Sequence, residues 1–193
     1  MKKIMFNDQY GLTEAVLDGR KTQTRRIAYE KPFKHIRSCG FCTEGKDKGK
    51  LIINDGNEIV AKSTYKIGEV VAVAQRYCDI PFANDIFIRE VPIGWSNKMF
   101  VKSDLMPHQI IITNIRCERL QDISTDDCMK EGIYCCHMVW YHNRYSYDAT
   151  NDSKRKKWWY DTPIEAYKML SCKLHFHWDS NPLVFVYDFK LVK

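Results

Sequence analysis

With 193 residues, 45% of them hydrophobic and 28% charged, the chain has the size and composition of one globular domain able to bury a core without disulfides or metal. No run approaches the roughly 18 apolar residues of a membrane-spanning helix, so no membrane partner is expected. The net charge of +6 arises within residues 1–50, which hold 12 Lys or Arg against 6 Asp or Glu, while the other 143 residues balance at 18 against 18. That asymmetry favours an anionic partner, phosphate or nucleic acid.

Met1-Lys2-Lys3-Ile4-Met5-Phe6 begins like a signal peptide, but Asn7, Asp8 and Gln9 end the apolar run too early. The chain is therefore expected in the cytoplasm, with its eight cysteines reduced. A short helix follows: Asn7 or Asp8 can cap it, Leu12, Ala15 and Val16 recur at helical spacing, and Gly19 sits where a left-handed C-terminal residue is wanted. The chain must then reverse, and residues 22–27 are β-compatible, so residues 19–26 read as a helix-to-strand corner. This corner is Gly19-Arg20-Lys21-Thr22-Gln23-Thr24-Arg25-Arg26. It gathers phosphate-binding donors and one potential nucleophile. The same residues also suit a helix end and a strand without any function, since cations complement the helix dipole and threonine favours strands.

Residues 31–50 are basic, glycine-containing and unperiodic, and are expected as a surface loop. Cys39-x-x-Cys42 has the spacing of half a zinc site. Cys135, Cys136, His137 and His142 are chemically suited to complete it but show no matching spacing, so no metal is expected. Residues 51–60 predict a hairpin turning at Asn54-Asp55-Gly56-Asn57, and residues 69–74 a buried strand after the Gly68 turn. Residues 79–98, with Pro81, Pro92 and Gly94, form an excursion that ends in a strand at 98–102.

The strongest β signal is residues 109–120, with Ile110 and Ile112 on one face, Ile111, Thr113, Ile115 and Cys117 on the other, and Arg116 and Arg119 toward solvent. Ser124 then caps a helix that carries Asp126 and Asp127 in its first turn and stops at Gly132. In residues 134–161 the rings of Tyr134, Trp140, Tyr141, Tyr145, Tyr147, Trp158, Trp159 and Tyr160 surround Lys154-Arg155-Lys156-Lys157. Such interleaving suits single-stranded nucleic acid, but the preferred reading is an insertion whose rings cover the domain and whose lysines are solvated. Thr162-Pro163-Ile164-Glu165 starts a further helix with a capping box. Residues 183–191 alternate as a half-buried closing strand. His108, His175 and His177 read as surface or core residues rather than catalytic bases.

Gly19, Lys21, Thr22, Thr24 and Arg26 match in register the Gly-x-Lys-Thr-x-Thr-x-Arg pattern of the ASCH family, a branch of the PUA-like β-barrels, which the chain resembles. Tyr65-Lys66-Ile67-Gly68-Glu69-Val70-Val71 and Val184-Phe185-Val186-Tyr187-Asp188-Phe189 look like the family's second and closing strands. Asn97-Lys98-Met99-Phe100-Val101 and Leu105-Met106-Pro107-His108 resemble its longer, phage-associated type. The resemblance implies an α+β fold: one PUA-like small β-barrel domain over residues 1–193, with peripheral helices and insertions at about 31–50, 79–98 and 134–161.

It also implies two functions. In the first, a basic cleft around the 19–26 corner receives RNA, a nucleotide or a modified nucleoside, with Arg20, Thr22, Arg25 and Arg26 as ligand and phosphate contacts. In the second, the cleft is that of an amidohydrolase acting on N4-acetylcytidine, whose functional lysine, threonine and glutamate fall on Lys21, Thr24 and Glu131. Thr24 would be the nucleophile, Lys21 its base with a pKa lowered by Arg20, Arg25 and Arg26, and Glu131 the acid for the departing amine; no cofactor is required. The pair works only if the Gly19 corner turns the backbone, because in a regular strand Lys21 and Thr24 point to opposite faces. A third class, protein interaction, would use the aromatic insertion as its docking surface.

Overall fold

The computed structural model describes residues 1–29, 38–54, 58–81, 90–138, 144–148 and 159–192. Strands dominate a mixed α+β chain. The described strands are β1 (Lys2–Ile4), β2 (Gln23–Tyr29), β3 (Ser38–Phe41), β4 (Leu51–Asn54), β5 (Ile59–Lys62), β6 (Val70–Val73), β7 (Gln109–Arg119), β8 (Tyr134–Met138), β9 (Arg144–Asp148) and β10 (Leu183–Leu191). The described α-helices are α1 (Leu12–Leu17), α2 (Thr125–Lys130) and α3 (Pro163–Lys173). None of the described helices is long and apolar enough to cross a membrane.

Five strands form the main sheet in the order β1-β6-β7-β10-β2; β1 pairs parallel to β6 and the other neighbours are antiparallel. β1 and β2 end that order, and among the described residues no pairing between them closes the sheet. β3-β4-β5 form a second sheet and β8-β9 a hairpin. β10 lies between β7 and β2 and is buried on both faces from Leu183 to Tyr187, rather than on the one face its alternation predicts. On one face Tyr187 meets Tyr65 edge-on at 5.3 Å, and beyond the bulge Phe189 meets Phe6 at 5.7 Å. α2 packs on β2 and α3.

Local signals place the helices. Ser124 accepts from the Asp127 N–H at the start of α2, and Thr162 and Glu165 close a capping box at the start of α3. Asn7 caps a short 3-10 turn at Asp8–Tyr10 instead of α1, which begins only after the left-handed Gly11. The hairpin expected at 51–60 forms as β4 and β5, with its turn at 55–57 outside the described residues.

Three expectations are corrected. Ser38–Phe41, within the expected surface loop, is a strand: it is exposed along its length and gains its order from the β4 ladder rather than from burial. The strand expected at 98–102 is instead a 3-10 turn at Lys98–Phe100, capped by the Asn97 side chain. In β7 the register against β10 shifts at Thr113, an exposed extra residue, so Ile110, Ile112 and Ile115 all face the core. The same bulge turns Arg116 away from the solvent expected for it and toward α2.

Candidate active site

The corner at residues 19–26 is pinned by three elements. Gly19, at φ 78°, donates to the Val16 carbonyl, and the Lys21 N–H returns to the Ala15 carbonyl at 2.7 Å, closing α1. The Thr22 N–H donates to the Lys130 carbonyl of α2 at 2.9 Å, and the Thr22 carbonyl accepts from Phe189 of β10 at 2.9 Å. Extended geometry begins only at Gln23. Lys21 therefore leaves the backbone before the strand's alternation applies, and it shares a cavity with Thr24.

That cavity has a volume of about 460 Å³, within the usual range for a small-molecule site of roughly 300–1,000 Å³. Lys21, Thr24 and Glu131 line it together with Arg25 and Arg26; Phe6, Leu12, Tyr167 and Phe176 supply apolar wall, and Asp8 and Lys98 further charge. Lys98 donates to Asp8 at 2.7 Å, to Thr13 at 3.0 Å and to the Phe6 carbonyl.

Lys21 is 2% exposed. Its Nζ donates to Glu131 Oε2 at 2.5 Å and to the Glu131 carbonyl at 2.7 Å. Glu131 is the C-cap of α2, and its other oxygen, Oε1, accepts from Arg25 Nη1 at 3.0 Å. Burial pushes the Lys21 pKa below its ordinary value; Glu131 opposes that, and the charges of Arg26 and Arg25 add to it. The like-charge effect predicted from sequence is thus present but secondary to desolvation. Arg20 points elsewhere, its Nε 2.8 Å from Asp18.

Arg25 is not available as a phosphate donor. Its fully buried guanidinium donates to Glu118 Oε1 from Nη2 at 2.5 Å and from Nε at 3.1 Å, to Asp127 at 3.2 Å, to Gln23 at 2.6 Å and to Glu131. Burial works to lower its pKa, and Glu131, Tyr167 and Glu118 more than offset that, so the net direction is upward. Arg116 closes the array with bonds to Glu118, Asp127 and Asp188 at 3.0, 2.6 and 3.1 Å. Gln23 Nε2 donates to Asp127 and Asp188. Burial also opposes ionisation of Asp127, yet Gln23, Arg116 and Arg25 hold its carboxyl below the usual range.

No family model, curated protein or solved structure matches the chain. The site is read from its own geometry. That geometry brings Lys21, Thr24, Glu131, Arg25 and Arg26 to one cavity, and leaves Arg20 and Thr22 off its lining. Arg26 is half-buried, donates from Nη2 to the Met5 carbonyl at 2.7 Å, lies over the Phe6 ring at 5.9 Å, and has no carboxylate within ion-pair distance among the described residues. Thr24 is 5% exposed, and its hydroxyl makes no hydrogen bond to the described residues.

Sequence reasoning missed Gln23, Glu118, Asp127 and Asp188 as partners of the arginines. Only the alternation of Gln23 with Arg25 on β2, opposite Asp188 and Val186, carried a trace of them. Among the described residues no group of His, Cys, Asp or Glu could hold a metal ion. Trp140, Tyr141, Trp158 and residues 154–157 of the aromatic insertion, and His142, lie outside the described residues. The described part is the β8-β9 hairpin, with Tyr145 exposed and stacked on His137 at 4.6 Å, and residues 159–161, of which Tyr160 bridges to Tyr147.

Proposed function

We propose that the chain is an ASCH-type, PUA-like domain whose cavity hydrolyses the acyl amide of a modified nucleoside such as N4-acetylcytidine. The observation that carries this reading is the convergence of Thr24, Lys21 and Glu131 on one cavity, with the Thr24 hydroxyl unengaged and the Lys21 pKa lowered. A barrel-like curl is supported by Arg26 of β2 reaching the Met5 carbonyl just past β1, which brings the two ends of the sheet order together.

The chemistry uses one proton shared by the Lys21–Glu131 pair. When it sits on Glu131, Lys21 is a neutral amine and Glu131 an acid. Thr24 Oγ1 attacks the acyl carbon as its proton passes to Lys21; the C–N bond breaks and the departing amine takes the proton of Glu131. Water then cleaves the acyl-threonine ester, releasing the acid and restoring the hydroxyl. The ring walls from Phe6 and Tyr167 suit a planar base, and burial keeps bulk water from the pair.

A second reading, binding of a nucleotide or RNA without hydrolysis, is favoured by Arg26, whose guanidinium faces the cavity with most of its donors uncommitted. The deciding experiment is release of cytidine from N4-acetylcytidine by the purified protein and by its Thr24→Ala and Lys21→Ala variants. Turnover by the wild type that both variants lose is the expected result. A folded wild type without turnover removes the hydrolase reading and leaves binding, to be measured as salt-dependent titration with RNA.

A further inference from the structure

Of the arginine–carboxylate array next to the cavity, one described member bonds to the Lys21–Glu131 pair. Arg25 is that member. Glu118 takes its Nε and Nη2, Asp127 also takes Nη2, and Gln23 takes Nη1, so the guanidinium plane has no freedom to rotate. The donor it presents to Glu131 Oε1 is therefore fixed from β2, β7 and α2 at once.

We propose that Arg25 is a positioning residue for the Lys21–Glu131 pair: it holds Glu131 Oε1 so that Oε2 is left to Lys21, and its charge sets how readily the pair gives up its proton. The consequence for catalysis rests on the hydrolase reading; the effect on Lys21 does not. The charged and titratable groups around the pair are Arg25 and Arg26 from β2, Asp127 and Cys128 from α2, Glu118 from β7 and Tyr167 from α3, with Asp8 and Lys98 lining the same cavity. Of these, Arg25 bonds Glu131 directly, and Glu118 is its strongest anchor by distance.

The two residues therefore act on Lys21 with opposite sign. Removing the Arg25 charge takes a cation away from Lys21 and frees Glu131 Oε1, both of which favour the ammonium. Removing the Glu118 charge leaves Arg25 less neutralised, which disfavours the ammonium. A residue that only supports the fold gives no such opposition.

The test is an NMR titration of protein labelled with 13C-lysine, the Lys21 resonance being identified by its loss in Lys21→Met. The Lys21 midpoint is expected to rise by about one pH unit in Arg25→Met and to fall in Glu118→Gln. Glu118→Gln retains a carbonyl acceptor for Arg25 and so decides the matter alone if Arg25→Met fails to fold. An unchanged midpoint in Glu118→Gln, or shifts of the same sign in both variants, overturns the proposal. No substrate enters the titration. Opposed shifts without cytidine release from N4-acetylcytidine would sink the hydrolase reading and keep the positioning role, whereas turnover with unmoved midpoints would do the reverse. Where turnover is present, its pH profile should follow the midpoints, with kcat reduced in Arg25→Met and KM unchanged.

Discussion

Lys21 Nζ lies 2.5 Å from Glu131 Oε2, although the two residues are 110 positions apart. Among the described residues the pairing is asymmetric: Lys21 has one anionic partner, whereas Glu131 has two cationic ones, Lys21 and Arg25. Removing Glu131 strands a buried ammonium, and removing Lys21 does not strand the carboxylate. Glu131→Leu should therefore cost about 3–5 kcal/mol of stability and Lys21→Met less than about 2 kcal/mol, measured by urea denaturation. Equal costs would mean that Arg25 does not compensate Glu131.

Thr24 gives the sharpest separation of activity from stability. Its hydroxyl bonds to none of the described residues, so Thr24→Ala loses little beyond a methyl group's packing and the change in stability should stay within about 1 kcal/mol. Turnover of N4-acetylcytidine should fall by at least about 100-fold in Thr24→Ala, and Thr24→Ser should retain part of it. A Thr24→Ala variant with wild-type turnover would remove threonine as the nucleophile.

Much of this site was legible in the chain because its instructions are local. Gly19 closing α1 and Ser124 starting α2 act within a few residues, and they set Lys21 between α1 and β2, Thr24 on β2 and Glu131 at the end of α2; the Thr162–Glu165 box likewise starts α3, which carries Tyr167. What escaped depends on register. The one-residue bulge at Thr113 inverts the face of everything after it in β7, so Arg116 and Glu118 could not be assigned to Arg25 from alternation alone. Part of the positive charge of residues 1–50 is neutralised inside the fold, which composition alone could not show: Lys21 and Arg25 are met by Glu118, Asp127 and Glu131, supplied from the balanced remainder of the chain. β3 was illegible because an exposed strand held only by its ladder has no hydrophobic pattern.

Gly132 ties the end of α2 to the site. At φ 99° it adopts a backbone that side chains rarely accept, and a Cβ there would lie 3.3 Å from Lys21 Cβ and 3.4 Å from Ala15 Cβ. Gly132→Ala should cost about 1–3 kcal/mol and displace Lys21, lowering kcat. Gly19→Ala meets nothing within 4 Å, so it should cost only the strain of its φ, about 1 kcal/mol, and spare the lysine. Similar turnover in the two variants would show that the Gly132 contact does not hold Lys21.

Stability above about pH 9 is set by two opposed effects whose sum has a definite sign. Burial pushes the thiols of Cys117 and Cys128 up to about 12 from 9.0, and the phenol of Tyr65 up to about 12 from 10.0; burial also raises Tyr167 well above its ordinary value. The native state keeps these protons at a pH where the unfolded chain releases them, so their contribution is complete below about pH 9 and is lost as pH rises. Lys21 works the other way. Its native pKa lies below 10.5, so between that value and 10.5 the unfolded chain binds the extra proton and stability rises with pH. Above about pH 9 four groups outweigh one, and the urea midpoint should fall between about pH 9 and pH 10.5. Lys21→Met removes the rising contribution of Lys21, so its midpoint should fall more steeply than that of the wild type over the same interval. Parallel declines in the two proteins would mean that burial does not lower the Lys21 pKa, and would take away the neutral amine on which base catalysis by Lys21 depends.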